Sequence, residues 1–159
     1  MSNFDAAEIF RFAVRIEENG EKLYRRAASI SDDEKTRYMF NFLADQEIKH
    51  KEFFGNILRT LDFSAFPYET YPGEYVEYMR NYLDRQKIFN EKNEKDSLGI
   101  SDIISAVNFA IDRESDSILF YSEIKNLVPE KQQGKVDEII YEERRHFVML
   151  SDFKKEVSK

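Results

Sequence analysis

Glu47-Ile48-Lys49-His50 and Glu143-Arg144-Arg145-His146 carry one pattern twice, a glutamate followed three residues later by a histidine, at an offset of 96 (143 − 47). They hold the only two histidines among 159 residues. With 19 glutamates in the chain, a given histidine meets one three places earlier about 12% of the time, so both do so by accident at about 1–2%. On a helix, i and i+3 share a face with Cβ atoms about 5–6 Å apart, so one metal ion can touch both side chains.

The flanking sequence repeats as well. Phe12-Ala13-Val14-x-x-Glu17, followed by Tyr24, matches Phe109-Ala110-Ile111-x-x-Glu114, followed by Tyr121, at an offset of 97 (114 − 17). The second half of the chain therefore repeats the first, and the fold should have a pseudo-twofold axis.

Three- and four-residue spacing sets the elements. Phe10, Ala13, Glu17, Gly20, Tyr24 and Ala27 mark a first helix over about 5–29. Ser31-Asp32-Asp33-Glu34 reads as a capping box, and Phe40, Leu43, Glu47, His50, Phe54 and Ile57 carry a second helix over about 32–61. Val107, Ala110, Glu114, Ser117 and Tyr121 define a third over about 101–126. Val136, Ile139, Glu143, His146 and Leu150 define a fourth over about 133–155. Pro67 and Pro72-Gly73 break the pattern after Leu61, and Glu74 to Phe89 reads as a short helix in a long connection over about 62–100. Short turns make the first pair and the second pair antiparallel hairpins, while the long middle connection suits a crossover along the bundle. The expected fold is an all-α four-helix bundle in a single domain.

Composition excludes several classes. A net charge of −7 with basic residues scattered among acids offers no stripe for a phosphate backbone, so no nucleic-acid partner is expected. Without cysteine there are no disulfides, thiolate zinc sites, Cys-ligated iron–sulfur centres or cysteine nucleophile. No apolar run approaches membrane-spanning length, and Met-Ser-Asn-Phe-Asp leads straight into a polar periodic segment. The expectation is a soluble cytoplasmic protein with no membrane partner.

Glu17, Glu47, Glu114 and Glu143 lie on stripes that are otherwise apolar. Four buried carboxylates are costly alone, whereas two divalent cations balance four negative charges. The metal-ligand candidates are Glu17, Glu47, His50, Glu114, Glu143 and His146. The alternative is that they point to solvent or form buried Glu–Arg or Glu–His pairs. Glu18 and Glu142, one residue off the stripe, are expected to be solvated or paired with Arg or Lys. Gly20 costs about 1 kcal/mol relative to Ala in a helix, which points to clearance for a ligand or close helix packing. Tyr24 and Tyr121 either support the carboxylates of the second and fourth helices through their hydroxyls or simply pack the core.

These residues resemble the ferritin-like superfamily, particularly its rubrerythrin-related di-iron carboxylate branch, with a Glu on the first and third helices and Glu-x-x-His on the second and fourth. The resemblance implies that Glu47 and Glu143 bridge two metals, with Glu17 and His50, and Glu114 and His146, as terminal ligands. It implies two iron ions, with manganese or zinc also accepted by such ligands. The activity implied is reduction of hydrogen peroxide or dioxygen with an external electron-donor protein, in a homodimer or larger homo-oligomer. Ferroxidase and iron storage is one alternative, and a metal-stabilised structural or partner-binding bundle without turnover is another. Two features depart from rubrerythrins proper: there is no Cys-rich rubredoxin-like module, and Ser117 stands where they carry an additional carboxylate.

Overall fold

Four long helices carry the sequence pattern in the computed structural model: α1 (Ala6–Ser29), α2 (Glu34–Thr60), α3 (Ile103–Ile124) and α4 (Glu130–Val157). The structure describes residues 6–65, 73, 74, 77, 78, 81, 82 and 99–159. Among these there is no strand, and the six isolated positions between 73 and 82 are helical. Of the short helix expected over Glu74 to Phe89, residues 74, 77, 78, 81 and 82 are described and helical, and its expected end at Phe89 lies outside the described residues.

Capping residues set the helix starts. Asp33, not Ser31, caps α2, its carboxylate accepting from the Thr36 backbone N–H and hydroxyl at 2.8 Å each. Ser31 instead donates back to the Ala27 carbonyl at 2.7 Å. Asp102 caps α3 in the same way through Ser105. Both caps satisfy amide groups that the helix itself leaves unpaired. The fourth helix starts at Glu130, earlier than the expected 133. The preceding 3-10 turn ends at Leu127, and Pro129, whose restricted φ suits a helix entrance, directly precedes Glu130 at the positive end of the helix dipole.

Two apolar clusters fill the bundle. One gathers Ile9, Phe10, Phe54, Phe120, Ile124 and Ile139; the other gathers Leu23, Phe40, Leu43, Ala106, Val107 and Leu150. Following each helix through them gives its direction. α1 and α4 run from the first cluster to the second, and α2 and α3 run from the second to the first. The α2–α3 connection thus begins and ends at opposite ends of the bundle, as a crossover requires.

Glu17, Glu47, His50, Glu114, Glu143 and His146 all fall in the interval between the two clusters. The six polar positions on the stripes form one layer across the middle of the bundle, closed above and below by packed hydrocarbon.

Candidate metal centre

Each of the six residues is at most 3% exposed. They fall into two overlapping groups, Glu17, Glu47, His50 and Glu143 on one side and Glu47, Glu114, Glu143 and His146 on the other, with the candidate ligand atoms of each group within 4.8 Å of one another. Glu47 and Glu143 belong to both.

Both imidazoles point Nδ1 into this layer. His50 Nδ1 lies 3.0 Å from Glu143 Oε1 and 3.5 Å from Glu17 Oε2. His146 Nδ1 lies 3.2 Å from Glu143 Oε2, 3.7 Å from Glu114 Oε2 and 3.8 Å from Glu47 Oε1. The Glu143 carboxylate therefore stands between the two histidines, one oxygen toward each.

The two tyrosines support the layer reciprocally. Tyr24, on α1, donates its hydroxyl to Glu114 Oε1 on α3, and Tyr121, on α3, donates to Glu17 Oε1 on α1. The expectation that they would reach the carboxylates of the second and fourth helices is corrected: each phenol crosses to the partner in the repeat. Burial pushes both phenols well above their ordinary pKa, reinforced by the neighbouring carboxylates, so they remain donors.

Electrostatics divides four chemically identical carboxyls. Burial pushes Glu47 well up, and the charges of Glu143, Glu17 and Glu114 push it further. Burial and Glu143 raise Glu114 to about 8. Burial also opposes the charge on Glu143, but hydrogen bonds from Glu114, His146 and His50 overcome it and hold Glu143 well below the usual range. Burial works against protonated imidazole too, yet hydrogen bonds to Glu114 and Glu143 raise His146 to about 9, and those to Glu143 and Glu17 raise His50 as well. Burial and mutual repulsion favour the protonated forms of Glu47 and Glu114, a cost that divalent cations would relieve.

Three buried oxygens point the same way. Glu17 Oε2, Glu47 Oε1 and Glu114 Oε2 have no hydrogen-bond partner. Buried polar atoms are nearly always satisfied, and unsatisfied carboxylate oxygens of several residues converging with imidazole nitrogens fit divalent cations.

Two neighbours escaped the sequence reading. Glu142 was expected among the solvated or Arg- and Lys-paired acids, but its Oε2 lies 2.6 Å from His50 Nε2. Arg113 is buried, donates from Nη2 to the Ile16 carbonyl at 2.7 Å and stands 3.9 Å from Glu47 Oε2. Gly20 makes room for it: a Cβ there would come within 3.0 Å of Glu47 Oε2 and of both terminal guanidinium nitrogens. Of the two reasons expected for Gly20, the structure supports close packing, against charged side chains. Glu18 is exposed, as expected.

The family model described as Rubrerythrin matches residues 8–156. The chain belongs to the rubrerythrin family. It is similar to a crystal structure from Thermotoga maritima described as that of a ferritin-like diiron-carboxylate protein, at 26% identity over 95% of each chain with a TM-score of 0.69. A comparison with curated proteins found no match. The four-helix bundle expected from the repeat, and its ferritin-like form expected from the resemblance, are thus the architecture of this rubrerythrin-family chain. Among the described residues no helix is long and apolar enough to cross a membrane.

Proposed function

We propose that this rubrerythrin-family chain is a di-iron oxidoreductase that reduces hydrogen peroxide, or dioxygen, with electrons from an external donor protein. The observation that carries this reading is that Glu47 and Glu143 belong to both ligand groups, so two ions held by Glu17 and His50, and by Glu114 and His146, would share two carboxylates. Two Fe(II) ions held by these residues would supply the two electrons that, with two protons, reduce hydrogen peroxide to two waters.

The chain's own residues supply the rest. Tyr121 and Tyr24 fix the orientation of Glu17 and Glu114, so each carboxylate presents its unpartnered Oε2 to the layer. The phenyl, leucine and isoleucine side chains above and below exclude water and protect the reduced centre. Lacking cysteine, the chain carries no thiolate-held electron-transfer centre of its own, which makes the donor external.

Anaerobic Fe(II) loading followed by stoichiometric peroxide tests the reading. Wild type should take up two irons per chain and develop near-ultraviolet ferric absorption on one equivalent of peroxide, and Glu143→Ala should not. Absence of peroxide-dependent oxidation, or the same response in the variant, would overturn it. Uptake of many irons per chain would favour storage instead.

A further inference from the structure

The repeat is broken at two positions that touch the metal layer. Glu142, whose carboxylate meets His50 Nε2, corresponds across the repeat to Gln46 (142 − 96), so a charge on one side is matched by a neutral amide on the other. Arg113 corresponds to Ile16 (113 − 97), so a buried guanidinium on one side is matched by a hydrocarbon on the other.

Each break has an electrostatic sign. A carboxylate accepting from the outer nitrogen of a ligating histidine fixes the tautomer that turns the free lone pair toward the metal and raises the basicity of the ligand. Glu142 gives His50 this support, whereas Gln46, its equivalent beside Glu47, has no carboxylate to offer His146. The guanidinium of Arg113 acts the opposite way, since it draws on Glu47 Oε2 and repels a nearby cation. Arg113 adjoins Glu114 on α3, and the Glu47 carboxylate that it faces at 3.9 Å turns its other oxygen toward His146 Nδ1 at 3.8 Å, so its charge falls on the Glu114–His146 side. At Gly20 a side chain would compete with the guanidinium and Glu47 for the same space.

We infer that the two metal positions are inequivalent and load in order, the Glu17–His50 position first and tightly, the Glu114–His146 position second and weakly. Glu142 and Arg113 are the positioning residues that set the order. The inference rests on the di-metal reading of the layer. In the same reading the weaker ion is the one that exchanges.

Zn(II) titration of the metal-free full chain tests this without reference to activity. Calorimetry should resolve two steps whose affinities differ by about tenfold or more. Because the chain has only two histidines, 15N-histidine NMR locates the first ion, the signals being assigned through His146→Gln. At one equivalent of Zn(II) the His50 ring nitrogens should shift while those of His146 stay in place. Glu142→Gln should weaken the first step by about 10- to 100-fold and leave the second nearly unchanged. Arg113→Met should strengthen the second by about tenfold. Glu142 is 35% exposed, so its variant decides the order even if Arg113→Met does not fold. Two equal sites, His146 responding first or together with His50, or equal weakening of both steps by Glu142→Gln would overturn the ordering. Failure to bind Zn(II) at all would instead remove the di-metal reading beneath it.

Discussion

Tyr121 on α3 donates its phenol to Glu17 on α1, and the repeat returns the same bond from Tyr24 to Glu114. Each bond joins equivalent halves of the molecule through the middle of the bundle, where the carboxylate has no access to water. A phenol that stays protonated can serve a buried carboxylate without adding charge, leaving the other oxygen for a cation.

Tyr121→Phe should therefore act on the metal-free protein first. It deletes one donor and leaves a buried acceptor unpaired, which costs about 1–3 kcal/mol. Denaturant unfolding of the metal-free variant should show that loss. Adding Zn(II) should recover part of it, since an ion bound only by the folded state stabilises by mass action. An unchanged metal-free midpoint would mean that the Tyr121 hydroxyl contributes nothing to holding Glu17.

The pH dependence of the metal-free protein follows from groups whose folded pKa is raised. Glu114 rises from 4.5 to about 8, and His146 from 6.5 to about 9. Their contributions are fully present below 4.5 and 6.5 and are lost as pH climbs through 8 and 9. Glu143, held low, acts only on the acid side. The metal-free melting temperature should fall steadily between pH 6.5 and pH 9, while the Zn(II)-loaded protein should hold nearly level because the ions replace the protons. Thermal melts of both forms across that window check this, and a flat metal-free profile would contradict it.

Glycines separate packing from propensity. Gly20→Ala gains helix propensity but drives a methyl group into Glu47 and Arg113, so it should destabilise by about 1–3 kcal/mol. Gly134→Ala meets nothing within 4 Å in α4 and should stabilise by about 0.5–1 kcal/mol. Chemical denaturation of the two variants side by side should give opposite signs.

How far the sequence could be read follows from what periodicity encodes. It reports where a Cβ points along a helix, and Glu17, Glu47, His50, Glu114, Glu143 and His146 are residues for which that direction suffices. Arg113 and Glu142 each precede a stripe glutamate by one place, and their side chains reach the layer by length. Arg113 left one indirect mark, the helix-weakening Gly20 opposite it. Tyr24 and Tyr121 were placed on the right face, but which carboxylate each phenol reaches depends on the axial offset between helices, a tertiary quantity absent from either repeat alone. α4 starts earlier than its apolar stripe does, because Pro129 admits the helix ahead of the first position the periodicity marks.

The same substitution should have opposite effects at two carboxyls. Glu114 is raised to about 8, so near neutral pH it is largely the neutral acid, and Glu114→Gln replaces it with a group of similar shape and no charge. Metal-free stability should be unchanged or slightly higher. Glu143 is held ionised between His50 and His146. Glu143→Gln removes the anion that both imidazoles face, and breaking such a buried pair costs about 3–5 kcal/mol. Both variants should nevertheless lose most of the melting-temperature gain that Zn(II) gives wild type, because each loses a charged oxygen donor. Melting the two variants with and without Zn(II) separates the roles. Equal destabilisation of the metal-free forms would show that the field of the layer does not distinguish these two carboxyls.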